Sequence, residues 1–139
     1  MIVIDRTSLR ALINKIPGSA IQKAIHESDV PMIFISQLTL QEVAPEYIKE
    51  PSQRSMAHLW QWMDEADITL LPSIMKHVAA AKAAFEQYGE GHRPGSLLTL
   101  GDCAAYTRAK SFGADLVSER LSAYEVMGLE WMTMEYKLI

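Results

Sequence analysis

Short apolar runs alternate along this chain with longer amphipathic stretches. The first run, Met1-Ile2-Val3-Ile4, shows no polar alternation, which predicts a strand buried on both faces. A short helix over Thr7–Lys15 follows, stopped near Pro17-Gly18. Ser19–Ser28 reads as a second helix, with Ile21, Ala24 and Ile25 on one face. Pro31–Ile35 is the next strand. Ser36 then stands as an N-cap for a helix through Val43 and beyond, which Pro45 should kink or restart.

Pro51-Ser52 opens another helix, in which Met56, Leu59, Trp60 and Met63 fall on a single stripe. Ile68–Leu71 is a third strand, closed by Pro72. Ser73–Tyr88 is an alanine-rich helix ending at Gly89, and Glu90–Gly95 is the most loop-like stretch. Thr99 caps a helix running to Phe112, with Gly113 as its stop. Leu116–Ser118 is a fourth strand and Leu129–Met134 a fifth. Strands separated by helices predict an α/β fold with a mostly parallel sheet of four to five strands, covered on both faces.

Composition narrows this little. A chain of 139 residues, 49% hydrophobic and 22% charged, suits one globular domain over 1–139. No apolar run approaches the ~18 residues of a membrane span, and the opening run lacks the basic lead of a signal peptide. One cysteine, Cys103, permits no internal disulfide, so a cytoplasmic setting is expected. The net charge of −4 speaks mildly against nucleic acid, although acids gathered around a metal ion are neutralised once it binds.

Three acids interrupt apolar, structure-forming stretches. Asp5 ends the first strand, Glu42 lies in Leu38–Val43, and Asp102 follows Leu97-Leu98-Thr99-Leu100-Gly101. A buried carboxylate needs a compensating partner. In open α/β sheets, ligands bind beyond the carboxyl ends of the strands. If strands one, two and four are neighbours, the three acids meet there and could share one divalent cation, suited to phosphodiester cleavage. Each also has a structural reading. Asp102 sits at capping-box spacing from Thr99, Asp5 could cap the helix beginning near Arg6, and Glu42 could be an acid at the edge of an apolar face.

These residues resemble the PIN-domain ribonucleases, in particular toxins of the VapC type from bacterial toxin–antitoxin pairs. The likeness runs through Met1–Asp5, through Ile35-Ser36 to Leu40-Gln41-Glu42-Val43-Ala44, and through Phe85–Gly89 to Leu98-Thr99-Leu100-Gly101-Asp102-Cys103-Ala104-Ala105-Tyr106. It implies a Rossmann-like, three-layer PIN fold and an Mg²⁺- or Mn²⁺-dependent endoribonuclease. It implies a homodimer with an RNA substrate, inhibited by a cognate antitoxin protein. Asp5, Glu42 and Asp102 become the catalytic and metal-binding acids, with Thr7 and Glu119 in support.

Two departures stand out. Arg6 replaces the small hydroxyl residue that usually follows the first aspartate. Arg120 takes the place of a fourth acid, with Glu119 one residue early. Arginine forks match carboxylates bidentately, so Arg6 and Arg120 could neutralise the acids and leave a catalytically silent binding module. Alternatively, Arg6, Arg93 and Arg108 could contact RNA phosphates.

The remaining chemistry is sparse. His26, His58, His77 and His92 show no zinc-ligand spacing. Cys103 reads as a buried hydrophobe. Trp62, off the Met56–Met63 stripe, would mark a partner surface if exposed.

Overall fold

The computed structural model describes residues 1–28, 32–49 and 56–127. Four short strands form one parallel sheet: β1 (Ile2–Ile4), β2 (Ile33–Ser36), β3 (Ile68–Leu71) and β4 (Asp115–Val117). Their spatial order is β3-β2-β1-β4, with Ile4 opposite both Ile35 and Val117. The chain builds outward on one side of β1 and later returns to the other. The order therefore reverses between β1 and β4, which opens a crevice beyond their carboxyl ends.

The pleat sends alternate residues to opposite faces, and each face has its own core. On one side Ile2, Ile4, Ile33 and Ile35 pack against α1 (Arg6–Ile13), α2 (Ala20–Glu27), α3 (Gln37–Lys49) and α4 (Met56–Glu65). On the other, Val3, Phe34 and Leu116 meet α6 (Leu100–Phe112), α5 (Met75–Tyr88) and a 3-10 helix, Leu121–Met127. This is the expected three-layer arrangement. Among the described residues, no helix is long and apolar enough to cross a membrane.

Capping explains the helix starts. Asp5 and Ser19 accept amide hydrogen bonds from Ser8 and Gln22 at the heads of α1 and α2. Ser36 accepts from the Leu38 amide at 3.3 Å. Gly113, at φ 66°, ends α6 in the left-handed conformation that a side chain disfavours.

Three expectations are amended. Helix α3 continues through Pro45 to Lys49 without restarting. The second strand spans Ile33–Ser36, so Ser36 closes the strand and heads the helix at once. On α4 the tryptophans exchange places. Trp60 is 45% exposed, while Trp62 packs against the core that buries Leu59 and Met63. Both flank the stripe, and the core lies toward the Trp62 edge. The Pro51-Ser52 helix opening and the Leu129–Met134 strand fall outside the described residues.

Candidate functional site

Asp5 leaves β1 at the crevice and is 1% exposed. Its Oδ1 accepts from the Thr7 hydroxyl at 2.6 Å and from the Ser8 amide at 3.0 Å. Its Oδ2 accepts from the Tyr124 hydroxyl at 2.7 Å. Thr7 has one proton, and Asp5 takes it, so at the 3.2 Å contact with Ser118 the serine must donate. Thr7 Oγ1 also accepts from the Glu119 amide at 2.9 Å, and Ser118 Oγ from the Arg120 amide at 3.0 Å. This hydroxyl relay ties the end of β1 to the end of β4 and fixes the Asp5 carboxylate.

Asp102 enters from the first turn of α6 and is 3% exposed. It closes a capping box with Thr99. The Asp102 amide donates to Thr99 Oγ1 at 3.1 Å, and the Thr99 amide donates to Asp102 Oδ2 at 2.9 Å. Glu42, from α3, lies against the same helix start. It accepts from the Thr99 hydroxyl at 2.7 Å and from the Gly101 amide at 3.1 Å, where a helix N-terminus favours an anion. The approach requires glycine at 101. A Cβ there would collide with Glu42 Oε1 and come within 2.6 Å of its Cδ. All three acids thus fill structural roles as well as sharing a place.

The charge between them is supplied by Arg6. Its Nε lies 3.2 Å from each oxygen of Asp102, with side chains 15% and 5% exposed. Burial works against the guanidinium charge. The Asp102 carboxylate, joined by Glu42 and Asp5, more than offsets it, and the Arg6 pKa is raised. Asp102 also titrates above the ordinary carboxylate range, first because it is buried and further because Asp5 is close, despite the Thr99 amide and Arg6. Both partners move upward because the acid is the deeper of the two and belongs to a cluster of like charge. The Tyr124 hydroxyl is held well above its usual pKa by burial and by Asp5, so it stays a donor. Burial, with Asp102 and Glu42 nearby, pushes the Cys103 thiol to about 12, as befits an inert core residue.

The other expected residues are dispersed. The Glu119 carboxylate accepts from the Ala20 amide at 2.7 Å, at the head of α2. Arg120 has no carboxylate partner among the described residues, although it lines the acid cavity. Arg93 stacks on Tyr88 at 5.7 Å. Arg93 and Arg120 both line a groove of about 510 Å³, and the groove meets the acid cavity at Leu97, Arg120 and Ala123. Arg108 is apart from this site, 8% exposed and hydrogen-bonded to His77 of α5.

Tyr124 and Ser118 have no counterpart in the motifs read from the sequence. Tyr124 did leave a trace: Leu121, Tyr124 and Met127 recur every third residue, the period of the 3-10 helix that carries it.

A family model for the PIN domain matches residues 2–120. The chain belongs to the PIN-domain family. No curated protein matches the sequence. Among solved structures, the PIN fold seen here is similar to a toxin-antitoxin complex from Klebsiella pneumoniae. The TM-score is 0.61 at 16% identity, over 89% of this chain and 90% of that one. At that identity the likeness concerns the fold.

PIN-domain nucleases in general use divalent metals, and the donors here fit such an ion in kind. They are hard carboxylate oxygens, and among the described residues Asp5 Oδ2 and Asp102 Oδ1 each accept one hydrogen bond. With Arg6 seated on Asp102, the placement leaves such an ion no room. Among the described residues, no group of three or more His, Cys, Asp or Glu side chains is arranged to hold a metal. The cavity lined by Asp5, Arg6, Thr7, Asp102 and Tyr124 measures about 10 Å³, room for a single water at most.

Proposed function

We propose that this chain is a metal-dependent endoribonuclease that cuts RNA phosphodiester bonds and acts as the toxin of a toxin–antitoxin pair. The observation that carries the reading is the meeting of Asp5, Glu42 and Asp102 around one cation at the β1–β4 crevice, in a PIN chain. Asp5 and Asp102 would hold Mg²⁺ or Mn²⁺, and Glu42 would orient water beside them. When bound, the ion supplies an acidified water and charge for the phosphate. Thr7 and Tyr124 fix the direction of the Asp5 carboxylate, because both donate to it. The RNA strand would lie along the neighbouring groove, with Arg93 and Arg120 against its phosphates.

The toxin role draws on the sequence resemblance and on the fold shared with the Klebsiella pneumoniae complex. A cognate antitoxin, a homodimer, a single domain and a cytoplasmic setting belong to the same proposal. The experiment is cleavage of RNA in Mn²⁺ or Mg²⁺. Asp102→Asn should abolish it while shifting stability by no more than about 1–2 kcal/mol. Cleavage by that variant at the wild-type rate contradicts the mechanism.

A second reading has one observation in its favour. Arg6 Nε already faces both oxygens of Asp102 and neutralises it, so the chain would be a silent PIN module that binds a partner without cutting RNA. Cleavage by the wild-type protein excludes it.

A further inference from the structure

The acids lack a free cation position because a side chain of the same chain fills it. We infer that Arg6 is the resident cation of the Asp5–Glu42–Asp102 cluster and sets its metal affinity, a divalent ion reaching Asp5 and Asp102 only by displacing the guanidinium. The inference rests on the metal reading above and concerns one residue that decides how the site is used.

Three observations support it. Arg6 Nε is equidistant, at 3.2 Å, from both Asp102 oxygens, so it covers the carboxylate edge that an ion would use. The cavity that Arg6 lines, about 10 Å³, cannot admit an ion that keeps several waters. The tether also allows departure. Arg6 is the first residue of α1, its side chain is partly exposed, and among the described residues its guanidinium contacts no carboxylate other than Asp102.

Exchange of Arg6 for a divalent ion replaces one positive charge at the cluster with two, and the hydrogen bonds that hold the other two acids do not involve Arg6. Asp5 remains fixed by Thr7, Ser8 and Tyr124, and Glu42 by Thr99 and Gly101. The apparent affinity is then the intrinsic one reduced by the fraction of molecules with Arg6 off Asp102. A tenfold change in affinity corresponds to 1.4 kcal/mol, well within what a charge-assisted, largely buried pair supplies. Neither water nor RNA is needed for the competition, so the metal alone reads it.

The test is titration calorimetry with Mn²⁺ on the full chain. Arg6→Ser should bind Mn²⁺ at least about tenfold more tightly than wild type, and Arg6→Lys, which keeps the charge but loses the Nε contact, should fall between them. Adding Asp5→Asn to Arg6→Ser should abolish the gain. Wild-type silence with tight binding by Arg6→Ser upholds the inference and overturns the metal-dependent enzyme. Equal affinities in wild type and both variants overturn the inference and leave the enzyme standing. A gain that survives Asp5→Asn places the ion elsewhere and overturns the inference. Absence of heat in every variant overturns both.

Discussion

Two arginines are largely buried among the described residues, and they live under opposite conditions. Arg6 lies at the sheet's carboxyl edge among three carboxylates, which raise its pKa against the cost of burial. Arg108 lies between α5 and α6, against His77, where burial lowers its pKa. Its Nε has no hydrogen-bond partner among the described residues. One guanidinium completes a cluster of charges; the other is a desolvated charge beside a base. Burial alone therefore says little about an arginine's contribution, and the sign depends on what faces it.

Substitutions at the two sites should separate along the same line. Arg6→Met removes a charge-assisted contact and leaves three acids facing one another, so it should cost about 1.5–3 kcal/mol in metal-free denaturation. Mn²⁺ should restore part of that loss, because a ligand bound only by the folded state raises its stability. Failure of Mn²⁺ to stabilise Arg6→Met more than wild type would erase the distinction between Arg6 and any other paired arginine.

Gly101→Ala probes how closely the acid region is packed. The added methyl would strike the Glu42 carboxylate, at a cost of about 1–3 kcal/mol. A variant as stable as wild type would mean that Glu42 can leave Gly101 freely. On the other side, Arg108→Met replaces a buried charge that has no carboxylate partner among the described residues with an apolar chain of similar length. It should raise stability by about 1 kcal/mol in urea denaturation. A loss of that size would mean that the His77 contact outweighs the cost of burying Arg108.

The smallest effect is a pH dependence at His77, whose pKa is lowered from 6.5 by desolvation, then by Arg108 and Lys76. A base that binds its proton less readily when folded contributes stability above its unfolded pKa. That contribution is lost as the pH falls through the lower folded value. Acidification below about pH 6.5 should therefore weaken the fold through His77. His77→Gln should flatten this part of the profile, and an unchanged profile would remove His77 from the account.

The acid end of the molecule was legible in the sequence because its signals are local. Asp5 follows a buried strand, and Thr99-to-Asp102 spacing announces a capping box. Gly113 stops α6 as expected. The structural readings of two acids hold, since Asp5 caps α1 and Asp102 closes the capping box of α6, and both carboxylates line one cavity. The Arg108 environment was hidden because α6 is buried around most of its circumference, from Gly101 to Ala109, so no polar face was left to place Arg108 on. The tryptophan exchange on α4 has a similar cause. A stripe fixes which residues share a face, but the neighbouring elements decide toward which edge the core extends. Tyr124 reaches Asp5 across 119 positions of sequence, a pairing that no local period encodes.

The most direct measurement is anomalous diffraction from crystals of the wild-type protein soaked in Mn²⁺. The account predicts an Mn²⁺ peak between the Asp5 and Asp102 carboxylates, with the Arg6 side chain turned out of the crevice. A structure at saturating Mn²⁺ in which Arg6 still holds Asp102 and no ion lies between the acids would contradict it.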